Sequence, residues 1–97
     1  MKSHHHLKIT SGKEFRETIR AGAYAWPGGY PVYFITEDGS ALSFESSKKE
    51  AKLILDAIRR NDRTGGWKVS FCAVNWENDS LFCDHSGERI ESAYAEA

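Results

Sequence analysis

Four positions in two short segments have the residue types and spacing of a pair of metal-binding knuckles. Ser43 and Ser46 are separated by two residues, and so are Cys83 and Ser86, which Gly87 follows. With cysteine in place of the three serines, the pattern would be that of a zinc ribbon with a 36-residue insert, residues 47–82. Tetrahedral zinc needs four thiolate or imidazole ligands, and a serine hydroxyl is a poor substitute at neutral pH. These positions therefore predict a vestigial metal site, with no metal and no other cofactor.

The neighbouring residues suggest other chemistry that we consider weaker. Cys83 and His85 could begin a metal site completed by Asp84 or by a second chain, but two ligands do not close a tetrahedral site. A half-buried thiol beside a solvated histidine is the simpler interpretation. The run Asp84-His85-Ser86 has the residue types of a hydrolase triad, yet adjacent side chains diverge and no Gly-x-Ser-x-Gly elbow is present. Cys72 lies in an apolar stretch, where a thiol stays protonated. The sequence thus predicts a protein that is not an enzyme.

Three aromatic residues cluster around a Pro-Gly-Gly turn, and they form a candidate partner-binding site: Tyr24, Trp26 and Tyr30. Exposed aromatic side chains are frequent anchors in protein interfaces. A small domain also needs such residues to fold back as a lid over its sheet. The sequence leaves both interpretations open.

One cluster of basic residues next to an aromatic residue forms a candidate nucleic-acid-binding site: Arg59, Arg60, Arg63, Trp67 and Lys68. Cations could contact phosphates while the indole stacks on a base. The alternative, which we favour, is a solvated helix end whose charge is balanced by nearby carboxylates, namely Glu45, Glu50, Asp56 and Asp62.

Composition limits the class of protein. The chain has 97 residues, 40% hydrophobic and 28% charged, which fits one globular domain. Its net charge of −1 provides no global attraction to nucleic acid or to an anionic membrane. We expect a cytoplasmic protein that does not bind membranes, because neither a signal peptide nor an apolar run of about 20 residues is visible. The histidines at 4–6 resemble a purification tag, so we expect residues 1–6 to be a disordered tag and 7–97 to be the domain.

The periodicity of apolar residues predicts an α+β fold with an antiparallel sheet of four to five short strands. Capping-box spacing at Ser11 and Glu14 predicts a short helix over 12–21, and the same spacing at Ser47 and Glu50 predicts the main helix over 47–61, packed on one face of the sheet. β-branched and aromatic residues predict the strands, at 7–10, 32–36, 41–44, 67–76, 81–83 and 89–90. We expect the strand at 67–76 to be central, because both of its faces carry apolar residues.

Several of these segments resemble a family of small uncharacterised, zinc-ribbon-like proteins encoded by bacteriophages and prophages. The likeness covers most of the chain from Trp26 onward and runs through the segments 26–31, 53–58, 74–77 and 83–94. The resemblance implies four cysteines with bound zinc in other members, and it implies that the two knuckle segments lie close together here. Hydrogen bonds among the serines and Cys83, or apolar packing by Phe44 and Phe82, would then replace the zinc.

The resemblance implies a fold and an origin in a mobile element, but no activity. Together with the absence of a catalytic constellation, it leads us to expect a small interaction module that binds a host protein. The alternative is a nucleic-acid-binding module derived from a zinc ribbon that has lost its metal. The oligomeric state cannot be read from the sequence.

Overall fold

The computed structural model describes residues 6–25, 30–76 and 80–92. Within these ranges the elements are, in chain order, β1 (His6–Lys8), α1 (Gly12–Ala21), β2 (Tyr24–Ala25), β3 (Tyr30–Thr36), β4 (Ala41–Ser43), α2 (Phe44–Lys49), α3 (Ala51–Arg60) and β5 (Val69–Val74). None of the described helices is long and apolar enough to cross a membrane.

β3 and β5 form the centre of an antiparallel sheet. They pair from Val32 opposite Val74 to Thr36 opposite Val69, with an irregularity in register after Ile35. Short strands extend the sheet at both edges: β1 pairs with β5, while β4 and β2 pair with the other edge of β3. The prediction of a central strand within 67–76 is confirmed, because β5 lies between β1 and β3.

The core lies between one face of the sheet and the helices. Phe34 and Cys72 are register partners, so their side chains project from the same face. The ring of Phe15 in α1 lies 5.2 Å from that of Phe34, and the ring of Phe44 in α2 lies 6.1 Å from it, measured between centroids. Ile54 of α3 is fully buried in the same cluster. The α+β class with an antiparallel sheet is therefore confirmed.

The two helix predictions have different outcomes. The helix over 12–21 is confirmed, and the Ser11 hydroxyl caps it by accepting the backbone N–H of Glu14 at 3.2 Å. The single helix over 47–61 is wrong, because the segment forms α2 and α3 with a break at Glu50, whose φ of −104° and ψ of 29° are not helical. Ser43 caps α2 in place of the predicted Ser47. α3 ends at Asn61, which adopts the left-handed conformation that closes many helices.

The ends of the chain differ from expectation in two places. The predicted strands at 81–83 and 89–90 are wrong, since the structure has there a single bridge between Phe82 and Arg89. The backbone of His6, which we assigned to the tag, pairs with Ala73 in the sheet. The rest of the predicted tag, residues 1–5, lies outside the described ranges.

Candidate functional site

The two knuckle segments meet at the edge of the sheet. Ser43 is both the last residue of β4 and the N-cap of α2, where its Oγ accepts the N–H of Ser46 at 3.1 Å. The second segment is a turn in which the N–H of Gly87 donates to the carbonyl of Cys83 at 2.8 Å. The N–H of Asp84 donates to the carbonyl of Ala41 at 2.8 Å, and this bond fixes the turn against β4.

The sulfur of Cys83 lies at the centre of this contact. It accepts hydrogen bonds from the N–H of Ser43 at 3.2 Å and of Ser86 at 3.5 Å. The Oγ of Ser46 lies 3.5 Å from the same sulfur. Cys83 is only 2% exposed. The structure thus brings all four predicted positions together around one sulfur atom, and we call this group the thiol cluster.

Two opposing effects act on the Cys83 thiol. Burial raises its pKa, because the thiolate is poorly solvated inside the protein. Hydrogen bonds from the N–H of Ser43, from the Ser46 and Ser86 hydroxyls and from the N–H of Ser86 lower it further than burial raises it, to about 6. Cys83 is therefore mainly a thiolate at neutral pH. Cys72 provides the contrast, since burial raises its pKa to about 12 and its thiol stays protonated.

The thiol cluster does not fit a resident zinc ion. It offers one thiolate and three hydroxyls, and hydroxyls bind zinc poorly at neutral pH. Within the described ranges, no group of three or more histidine, cysteine, aspartate or glutamate side chains could hold a metal. The expectation that Phe82 packs in place of the metal is wrong, because Phe82 is 54% exposed, whereas Phe44 is buried in the core.

The residues next to Cys83 have partners outside the cluster. The Nε2 atom of His85 lies 3.6 Å from Oε2 of Glu50, and its ring lies 5.1 Å from that of Trp67. The hydroxyl of Ser86 accepts the N–H of Glu88 at 3.2 Å. In the described part of the chain, the side chains of Asp84, His85 and Ser86 share no hydrogen bond with one another, so they do not form a triad.

The aromatic site is only partly described, because Trp26 lies outside the described ranges. Tyr24 is 41% exposed, and its hydroxyl donates to Oε1 of Glu91 at 3.0 Å. Tyr30 is half-buried, with its ring 4.6 Å from that of Trp76. One residue of the predicted site is therefore presented to solvent and another packs against the domain.

The basic cluster is extensively paired with carboxylates. Asp56 accepts hydrogen bonds from Arg59 and, at 2.9 Å, from Arg60. Oxygens of Glu37 lie 3.3 Å from the ammonium of Lys68 and 3.6 Å from Arg63. Each predicted phosphate-binding cation thus has an acidic neighbour, and Trp67 is half-buried.

A third surface was missed by the sequence analysis. A groove of about 760 Å³ lies between α1 and α3, and we call it the helical groove. Apolar residues of α3 line it, together with cations from both helices: Leu53, Leu55 and Ile58, then Lys13, Arg16, Lys52 and Arg59. Leu53 is 48% exposed. The available signal in the sequence was that Leu53 lies next to Lys52 and outside the narrowest apolar stripe of the helix.

Comparisons with protein-family models, with curated proteins and with solved structures gave no match. The fold and the site define the class only as a small α+β domain with a thiol cluster and a basic helical groove. Any narrower assignment depends on the chemistry of these surfaces.

Proposed function

We propose that this chain is a non-enzymatic interaction module of bacteriophage or mobile-element origin that binds a host protein. The observation that carries the proposal is the helical groove, where Leu53 remains 48% exposed among basic side chains. Contiguous apolar patches rimmed by polar residues often mark protein-binding sites, and Leu53 lies with Leu55 and Ile58 in a groove that cations line. The proposed origin depends on the resemblance in sequence alone.

The aromatic site offers a second contact surface for the same function. Tyr24 is exposed and lies in the short edge strand β2, where a partner can reach it. Its bond to Glu91 holds the ring in a defined position. The helical groove and Tyr24 are therefore the two places where contact with a host protein should be tested.

The test is site-specific photocrosslinking in a bacterial extract. A photoreactive phenylalanine analogue replaces Leu53 in one variant, Tyr24 in a second and Lys49 in a control, since Lys49 is exposed but outside both surfaces. We expect one crosslinked protein from position 53 or 24 and none from 49. That protein, purified by itself, must also bind the unmodified chain saturably. Equal crosslinking from all three positions, or none from any, would contradict the proposal.

A nucleic-acid-binding module remains the second candidate. It is favoured by the convergence of Arg63 and Lys68 on Glu37, which brings two of the cations together, with Trp67 next to Lys68 in the sequence. The ion pairs weigh against it, because a paired cation releases fewer counterions when it contacts a phosphate. Salt-dependent binding of a single-stranded oligonucleotide distinguishes this candidate from the first.

A further inference from the structure

We propose that the occupant of the helical groove is an acidic amphipathic α-helix of the partner protein. This inference rests on the proposed function and adds the chemistry of the partner. It follows from the charge of the rim, the polarity of the floor and the shape of the groove, each of which excludes other occupants.

The rim of the groove carries a local excess of positive charge. Four cations line it against one carboxylate, Asp56, which gives a net charge of +3 on a chain whose total is −1. Asp56 already accepts hydrogen bonds from Arg59 and Arg60. Among the described residues, Lys13, Arg16 and Lys52 have no carboxylate within ion-pair distance. Electrostatic complementarity therefore favours a partner with carboxylates.

The floor of the groove is apolar. Leu55 and Ile58 are half-buried and pack against the core, while Leu53 presents nearly half of its surface to solvent. None of the described residues that line the groove is aromatic. A nucleic-acid strand would find cations here but no ring on which to stack its bases. The combination of apolar floor and basic rim instead matches a stripe of apolar side chains flanked by carboxylates.

The shape of the groove favours a helix over an extended strand. Its walls are α1 and α3, each of 10 residues and hence about 15 Å long. The backbone groups inside these helices are bonded within the helices, so the walls offer no open edge to which a strand could add. α1 approaches α3 closely at its first turn, where a Cβ atom on Gly12 would lie 3.2 Å from Cδ2 of Leu55. Two to three turns of an amphipathic helix fit along such walls.

The experiment uses a fluorescein-labelled designed peptide as the probe. The peptide is helical, with leucines at i, i+3, i+7 and i+10 and glutamates on both sides of this stripe. A matched peptide carries glutamine in place of every glutamate, and a single-stranded oligonucleotide serves as the competing class of ligand. Fluorescence anisotropy measures binding to the full chain and to three variants: K13E/R16E, Leu53→Ser and the control K48E/K49E. The control changes the net charge by the same amount at two exposed lysines outside the groove.

We expect the acidic peptide to bind the unmodified chain with an affinity that falls as salt is raised. K13E/R16E should weaken binding by about tenfold or more, because it reverses one wall of the rim. Leu53→Ser should weaken it severalfold, and K48E/K49E should stay within about twofold of the unmodified chain. Circular dichroism checks that each variant is folded, and the salt dependence of the unmodified chain provides a readout that needs no variant.

Three results would overturn the assignment: equal binding of the glutamine peptide, an equal loss in K48E/K49E, or tighter binding of the oligonucleotide. Absence of binding to the acidic peptide would overturn it as well. The outcome is separate from that of the proposed function, because crosslinking from Tyr24 alone would leave the interaction module intact and place its partner elsewhere.

Discussion

At the scale of single residues, the two cysteines show how local donors determine the state of a buried thiol. Cys72 and Cys83 are 3% and 2% exposed, so simple burial would keep both protonated. Cys72 follows that rule, with a pKa raised to about 12 by burial. Cys83 differs because backbone N–H groups of Ser43 and Ser86 point at its sulfur. Oriented donors of this kind stabilise the thiolate more than burial destabilises it.

The first prediction concerns the pH dependence of stability. The folded-state pKa of Cys83, about 6, lies below the unfolded value of 9.0. Ionisation of Cys83 therefore contributes its full stabilisation of the fold above pH 9, and this contribution is lost as the pH falls through 6. Between these limits the stability of the wild-type chain over Cys83→Ser should rise with pH, by up to about 1.4 kcal/mol per pH unit. Urea unfolding of both proteins at several pH values measures this difference, and the ultraviolet absorbance of the thiolate gives the pKa directly.

The comparison with Cys83→Ser removes the contributions of other groups. Both proteins retain Cys72 and all carboxylates, so their titrations cancel in the difference. A difference in unfolding free energy that is flat between pH 6 and 9, or that decreases as the pH rises, would contradict the ionised state of Cys83.

The composition of the thiol cluster was predictable from sequence, but its electrostatics were not. Two pairs of residues at Cys-x-x-Cys spacing are visible in the letters, and the structure brings these four positions together. The depressed pKa depends on the orientation of backbone N–H groups at Ser43 and Ser86, which belongs to the fold and leaves no trace in residue type. The helical groove was missed for a related reason, because it arises only where α1 and α3 lie side by side.

At the scale of elements, the early start of α2 determines where the thiol cluster forms. The apolar stripe from Ala51 to Ile58 and the capping-box spacing at Ser47 predicted one helix, yet the N-cap of α2 is Ser43, four residues before Ser47. This early start places Ser46 in the first turn of α2, within 3.5 Å of the Cys83 sulfur. The period of the apolar residues could not locate the break at Glu50, because the apolar residues of α3 follow a helical period that gives no sign of a break there.

The second prediction tests whether the two segments keep the geometry of a metal site. In tetrahedral zinc coordination with Zn–S bonds of about 2.3 Å, neighbouring sulfurs lie about 3.8 Å apart. The Oγ of Ser46 already lies 3.5 Å from the sulfur of Cys83. We therefore expect S43C/S46C/S86C to bind one zinc ion per chain and to gain about 2 kcal/mol or more of stability in zinc, a rise in Tm of about 10 °C. Elemental analysis and thermal melts with and without chelator measure both effects.

Two controls isolate the four positions. Residues 1–5 are removed from every protein, because histidines at 4 and 5 bind metal on their own account. The variant S43C/S46C/S86C/C83S has three thiols in place of four and should lose most of the gain in stability. The second control is S43C/S47C/S86C, in which one cysteine lies a single helical position further on, at the fully buried Ser47. Equal zinc binding by this variant would contradict the proposed geometry.

At the scale of the whole molecule, the basic cluster and the helical groove differ in how far their cations are paired with carboxylates. Glu37 connects the turn after β3 to the loop before β5, since it contacts Arg63, Lys68 and, at 2.6 Å, the hydroxyl of Ser70. The hydrogen bond from Ser70 and the charge of Lys68 lower the pKa of Glu37, so it stays ionised at neutral pH. Asp56 likewise forms ion pairs with Arg59 and Arg60. Three of the four cations that line the helical groove, Lys13, Arg16 and Lys52, have no carboxylate partner among the described residues. This separates them from the neutralised basic cluster, to which the fourth cation, Arg59, belongs.

The last prediction tests this separation. E37Q/D56N removes two of the three carboxylates that pair with the basic cluster, leaving Asp62 at 3.5 Å from Arg60, and changes the net charge from −1 to +1. We expect it to bind a labelled single-stranded oligonucleotide about tenfold more tightly than the wild-type chain at low salt, with a steeper loss of affinity as salt rises. The control E45Q/E88Q makes the same change in net charge at two exposed glutamates for which the described residues provide no cation partner. If the control gains as much affinity, net charge and not the ion pairs limits binding. If the wild-type chain binds as tightly as E37Q/D56N, the ion pairs do not suppress the cluster, and the nucleic-acid candidate becomes the stronger of the two functions.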